Sequence, residues 1–228
     1  MLCFGVNVKE GLHNQLDREN YAIIDKTCTT VPPEYMQRRH TEKELLEIFE
    51  DTDCLFYNDK WCEKHREKCL KNFDLNMEYI SRLDTGEFEV ELNKLLTTRK
   101  RIRQIFDLND CNGMSGIYIM VMDKYKQVYI GQSRDIKRRV MRHWSTRKEF
   151  DRLIFGNVEN SILSIDCYGA KDTTRIYVFP TNSLDRNEQL FVRKMDKRFL
   201  TNRTAGGLYI ENNNGLEILA NMNTRSVT

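Results

Sequence analysis

The stretch at residues 116–131 constrains this chain more than any other. Seven residues, Gly-Ile-Tyr-Ile-Met-Val-Met at 116–122, are followed by the polar Asp-Lys-Tyr-Lys-Gln at 123–127 and then Val-Tyr-Ile-Gly at 128–131. Such short apolar runs, rich in Ile, Val and Tyr, suit buried strands better than helices, which need more length to close a hydrogen-bonded cylinder. Two of them joined by a short polar turn read as a β-hairpin. Residues 133–154 then place Ile136, Val140 and Met141 on one helical face among basic residues, with Ser133 as the expected N-cap. A third strand is expected at 174–179, ended by Pro180, and a further helix at 184–200. The order strand, strand, helix, strand, helix predicts an α+β protein: a small α/β domain whose mostly antiparallel three-stranded sheet is flanked by helices.

Ahead of it the texture is helical. Thr41 and Glu44 have the spacing of a capping box, and Leu70, Phe73, Met77, Ile80 and Leu83 recur at three- and four-residue steps. Helices are expected over 41–49, 60–83 and 86–106, after an extended break at Pro32-Pro33. The Asn-Asp and Asn-Gly signals near 109–113 mark a boundary, giving a mainly helical N-terminal region at 1–110 and a second domain at 111–228. Residues 1–100 carry 15 Lys and Arg against 20 Asp and Glu, net −5, whereas residues 101–228 carry 21 against 14, net +7. The basic half is the one expected to meet a polyanion. With 40% hydrophobic and 31% charged residues the chain is neither disordered nor collagen-like. No run reaches the length of a membrane span and the start lacks a secretory apolar stretch, so no membrane and a cytoplasmic location are expected.

The seven cysteines are odd in number and scattered, which favours reduced thiols. Cys54, Cys62, His65 and Cys69 offer four soft or borderline ligands, as tetrahedral Zn²⁺ requires, but they lack a paired Cys-x2-Cys, and a helical run there turns Cys62, His65 and Cys69 toward one face as ordinary buried residues.

Gly116-Ile117-Tyr118, ten intervening residues, Tyr129-Ile130-Gly131, then Arg139 ten residues after Tyr129 and His143 four further on, together resemble the signature of the GIY-YIG nucleases. Glu188 matches that family's metal-binding Glu, and Asn202 with Gly206-Gly207 its closing Asn and glycines. The likeness covers residues 114 to about 210. It implies a metal-dependent endonuclease whose two motifs sit on paired strands, with Tyr118, Tyr129, Arg139, His143, Glu188 and Asn202 at the catalytic site and Mg²⁺ or Mn²⁺ on Glu188. Some members carry Lys directly after the second motif's glycine, where this chain has Gln132.

The residue types suit phosphodiester hydrolysis in their own right. An attacking water must lose a proton and the pentavalent phosphate must have its charge balanced. A phenol titrates near 10, so Tyr118 can assist only if a cation lowers its pKa or a neighbour relays the proton. Tyr129 positions or shares that water. Arg139 and His143, four residues apart, leave one helix face and can reach one phosphate, and a single carboxylate with waters suits Mg²⁺. Gln132, Ser133, Arg134, Lys137, Arg138 and Arg142 are the expected nucleic-acid contacts. Double-stranded DNA is the expected substrate and a restriction or anti-phage role the first choice. Homing, repair or structure-specific cleavage, RNA cleavage, and a non-catalytic binding module on the same scaffold stay open. Cutting both strands requires a homodimer or sequential nicking, with Leu45, Leu46, Ile48 and Phe49 as a candidate interface.

Overall fold

A computed structural model describes residues 1–204 and 223–225. A small hairpin, β1 (Leu2–Cys3) and β2 (Val6–Asn7), leads into the helices α1 (Arg18–Tyr21), α2 (Pro33–Arg39), α3 (Glu42–Leu46), α4 (Asp59–Arg82) and α5 (Thr85–Leu96). Then come β3 (Arg103–Ile105), β4 (Gly116–Met122), β5 (Gln127–Ser133), α6 (Ile136–Ser145), β6 (Arg175–Pro180) and α7 (Leu184–Lys194). The Thr41–Glu44 capping box is present, Asn58 caps α4 and Asp84 caps α5. The helix expected over 86–106 stops at Leu96, where the Thr97 and Thr98 hydroxyls donate to the Asn93 and Lys94 carbonyls and so satisfy the last turn. Of the proposed interface, Leu45 and Phe49 are buried and Ile48 is half-buried; only Leu46 stands exposed.

The main sheet is antiparallel, in the order β3-β6-β4-β5. It has four strands rather than the three expected. The addition, β3, is three residues long and buries only Ile105 fully, too short a stretch to display a two-residue period. It lies on the N-terminal side of residue 110 yet extends the sheet of the second half. β4, at the centre, is buried along its whole length, as an apolar run with pairing partners on both edges requires. The register sets Tyr118 opposite Gly131 and Tyr129 opposite Met120, so both phenols stand on the face that α6 covers. Gln132, opposite Ile117, stands on the other face, where α7 packs with Phe191 edge-on to Phe179 at 5.5 Å.

Phe73, Ile80, Phe88, Leu92 and Leu95 of the N-terminal helices share one continuous core with the sheet, and Phe88 meets Phe199 at 5.5 Å. Among the described residues no helix is long and apolar enough to cross a membrane.

Candidate active site

Two glycines shape the hairpin. A Cβ at Gly116 would lie 2.4 Å from the Phe179 carbonyl oxygen, so this glycine lets β4 and β6 approach. A Cβ at Gly131 would lie 2.4 Å from the Tyr118 hydroxyl oxygen and 2.8 Å from the Tyr129 ring. The missing side chain is thus the space through which Tyr118 crosses β5. The two tyrosine rings are 6.0 Å apart and each lies within 6.0 Å of the His143 ring.

Tyr118 has no solvent exposure, and its hydroxyl lies 2.9 Å from His143 Nε2. His143, itself buried, has Nδ1 2.8 Å from Asp166 Oδ1. Burial holds the Tyr118 pKa well above the phenol value and Tyr129 adds to this, with the Arg139 guanidinium pulling the other way. Tyr129 is raised too, first by burial and then by the negative charge of Glu188, again opposed by Arg139. Burial works against the charge of Arg139, but the two phenols outweigh it and raise its pKa. Arg139 therefore lies beside both hydroxyls, as its position one turn before His143 on α6 implies.

A cleft of about 400 Å³ opens along the outer edge of β5 and is lined by Tyr129, Gln132, Arg139, Lys148, Glu188 and Asn202 among others. Glu188, on the first half of α7, is nearly buried, and its Oε2 accepts from Gln132 Nε2 at 3.0 Å; the same amide donates to Asp185 at 2.6 Å. Asn187 anchors this end of the helix by donating to Ser183 O and Thr181 Oγ1. Asn202 donates to the Ile130 carbonyl at 2.7 Å and accepts from the Ile130 N–H at 3.0 Å. Both atoms of its amide are thereby committed to the backbone of β5, so its work is to hold the strand that carries Tyr129. Gly206 and Gly207 lie outside the described residues.

Tyr129, Arg139, Glu188 and Asn202 line one cleft, and Tyr118 and His143 are buried behind it, their rings within 6.0 Å of the Tyr129 ring. The expected nucleic-acid contacts divide. Arg134, Arg138 and Arg142 are exposed, Lys137 is held by Asn109 at 2.8 Å, and Gln132 is tied to the two acids. Ser133 does not cap α6: its hydroxyl bonds within its own turn, to Asp135 O and Asp135 N, and the Asp135 carboxylate caps the helix through Arg138 N at 3.0 Å. The proposed zinc ligands are not assembled. His65 Nε2 meets the Phe150 carbonyl at 2.9 Å and its ring stacks on Trp61, while burial pushes Cys69 up to about 12 and raises Cys54 and Cys62, the charge-neutral state of packed thiols. Among the described residues no three His, Cys, Asp or Glu side chains are arranged to enclose a metal ion.

Sequence reasoning missed Asp166 and Lys148. Asp166 left one mark, being the sole charged residue between Glu159 and Lys171. Lys148 left none in a basic stretch. Comparison with known proteins finds no matching family model, no matching curated protein and no matching solved structure.

Proposed function

We propose that this chain is a metal-dependent phosphodiesterase, an endonuclease acting on DNA. The observation that carries this reading is a cleft lined by a phenol, a guanidinium and a carboxylate from β5, α6 and α7, backed by the buried Tyr118 phenol of β4 and the His143 imidazole of α6 that is within hydrogen-bond distance of it. The basic balance of residues 101–228 and the exposed Arg134, Arg138 and Arg142 supply attraction for a phosphate backbone. The donor set fits Mg²⁺ or Mn²⁺ rather than zinc: Glu188, with Asp185 bridged to it through Gln132, offers hard oxygens, and such ions keep most of their shell as water and phosphate oxygen. When bound, the cation would polarise the phosphate and offset its charge.

Tyr118 and Tyr129 are held neutral by burial, so neither starts as a phenolate. Tyr129 faces the cleft and Tyr118 lies behind it. The attacking water gives its proton to this phenol pair as Tyr118 gives its own to His143 Nε2; the water oxygen bonds to phosphorus, the bond to the leaving strand breaks, and the leaving oxygen collects a proton from solvent. Arg139 offsets the added negative charge with donors fixed in a planar fork.

A cleavage screen tests the reading, using linear, supercoiled, branched and single-stranded DNA, and RNA, with Mg²⁺ or Mn²⁺. Wild type is expected to cut DNA, with Tyr118→Phe, Arg139→Ala and Glu188→Ala each slower by roughly 10²- to 10⁴-fold and EDTA abolishing the reaction. Failure of wild type on every substrate, with Glu188→Ala indistinguishable from it, overturns the proposal. Cleavage of RNA alone would overturn the DNA assignment.

A further inference from the structure

We infer that Asp166 is a positioning residue of this site, an assignment that rests on the phosphodiesterase reading: its carboxylate fixes the tautomer of His143 and keeps Nε2 open to take the proton of Tyr118. A neutral imidazole carries one N–H, and which nitrogen bears it is set by the partner of the other. Asp166 Oδ1 stands 2.8 Å from Nδ1, and an ionised carboxylate can only accept, so the proton belongs on Nδ1. Nε2 is then an acceptor aimed at the Tyr118 hydroxyl 2.9 Å away. With His143 only 4% exposed, bulk water does not compete for either nitrogen. Burial disfavours the Asp166 anion, but the hydrogen bond from His143, with the charges of Lys148 and Arg139 beyond it, outweighs that and leaves its pKa below the ordinary value.

The carboxylate is held as firmly as the ring. Asp166 sits on a 3-10 turn, Ile165–Cys167, closed by Cys167 N–H to Ser164 O and Tyr168 N–H to Ile165 O, both at 3.0 Å, and anchored by the buried Ile165 and Tyr168. The end of α6 is pinned to the same segment by Trp144 Nε1 donating to Thr173 Oγ1 at 3.0 Å. The relay thus runs from the cleft through Tyr118 and His143 and ends on a residue more than twenty positions beyond the helix face that carries Arg139 and His143.

The test joins turnover to a direct view of the ring. In ¹⁵N-labelled wild type, long-range proton–nitrogen spectra should place the His143 proton on Nδ1; with four histidines in the chain, a His143→Gln spectrum assigns the signal. In Asp166→Asn an amide N–H facing Nδ1 should move the proton to Nε2. DNA cleavage should slow at least about a hundredfold at unchanged KM, and Asp166→Glu should restore part of it. Cleavage by Asp166→Asn within about threefold of wild type overturns the inference and leaves the nuclease reading standing. A wild-type ring protonated at Nε2 overturns it without reference to turnover. A wild type that cuts no nucleic acid sinks the nuclease reading, and the spectra still decide the tautomer.

Discussion

Gly116 opens the first motif and Gly131 closes the second, and the two answer to different neighbours. Gly116 yields to the backbone of β6, whereas Gly131 yields to the hydroxyl of Tyr118. Gly131→Ala must therefore move the phenol, since the alternative is a Cβ–O distance of 2.4 Å, and any such movement breaks the 2.9 Å contact with His143 Nε2. Overpacking of this kind costs about 1–3 kcal/mol, and at this chain length that lowers Tm by roughly 2–4 °C per kcal/mol. The expected variant is folded, slightly less stable, and slower at DNA cleavage by at least about a hundredfold, near the defect of Tyr118→Phe. Wild-type cleavage by Gly131→Ala would show that Tyr118 needs no such channel. At this scale the sequence was most legible, because a motif names its residues by spacing. Asp166 escaped because its partner lies in space and not in register with it.

Elements were legible where they repeat and obscure where they are short. The twenty-four residues of α4 present several turns of a periodic apolar face, so their helix was readable; β3 and the 3-10 turn holding Asp166 are too brief for any period to emerge. The cap of α6 was misread because Ser133 and Asp135 are both good capping types, and only backbone geometry decides between them. β5 is an edge strand, and what completes it is not another strand but residues 200–202, with Thr201 N–H donating to Val128 O at 2.9 Å and the Asn202 amide closing both backbone groups of Ile130. Asn202→Ala leaves a buried N–H and a buried C=O unpaired, each at about 1–3 kcal/mol. Tm should fall by on the order of 5–10 °C, and the Ile130 amide should exchange its hydrogen far faster than in wild type. An unchanged Ile130 exchange rate would mean that Asn202 does not hold the edge.

Over the whole molecule, the N-terminal region reaches the site by supporting the segment between α6 and β6. Tyr21 donates to Leu153 O, Asn72 and Asn76 donate to Ser161 O, and Asp172 accepts from Leu16 N–H at 2.7 Å, so the stretch carrying Asp166 is gripped by the N-terminal region. Charge asymmetry between the halves showed in the sequence, whereas this grip did not, because its bonds join polar side chains to backbone groups more than eighty residues away. The seam has an acid-sensitive point. Asp151 accepts from the Thr29 and Thr30 N–H groups, the Thr29 hydroxyl and Tyr57. Burial alone would raise its pKa, but these donors outweigh it and hold the carboxyl below the ordinary value. A carboxyl depressed in the folded state contributes in full above its unfolded pKa of about 4, and the contribution is lost as pH falls through the folded value. Asp151→Asn replaces an all-acceptor carboxylate with an amide that turns an N–H toward those donors, so its Tm at pH 7 should lie several degrees below wild type. That gap should begin to narrow as pH drops below about 4, where the unfolded chain takes up the proton first, and should close once pH falls below the lower folded value. Melting curves from pH 7 to pH 3 check this, and a gap that stays constant across the range would remove Asp151 as the charged clasp between the halves.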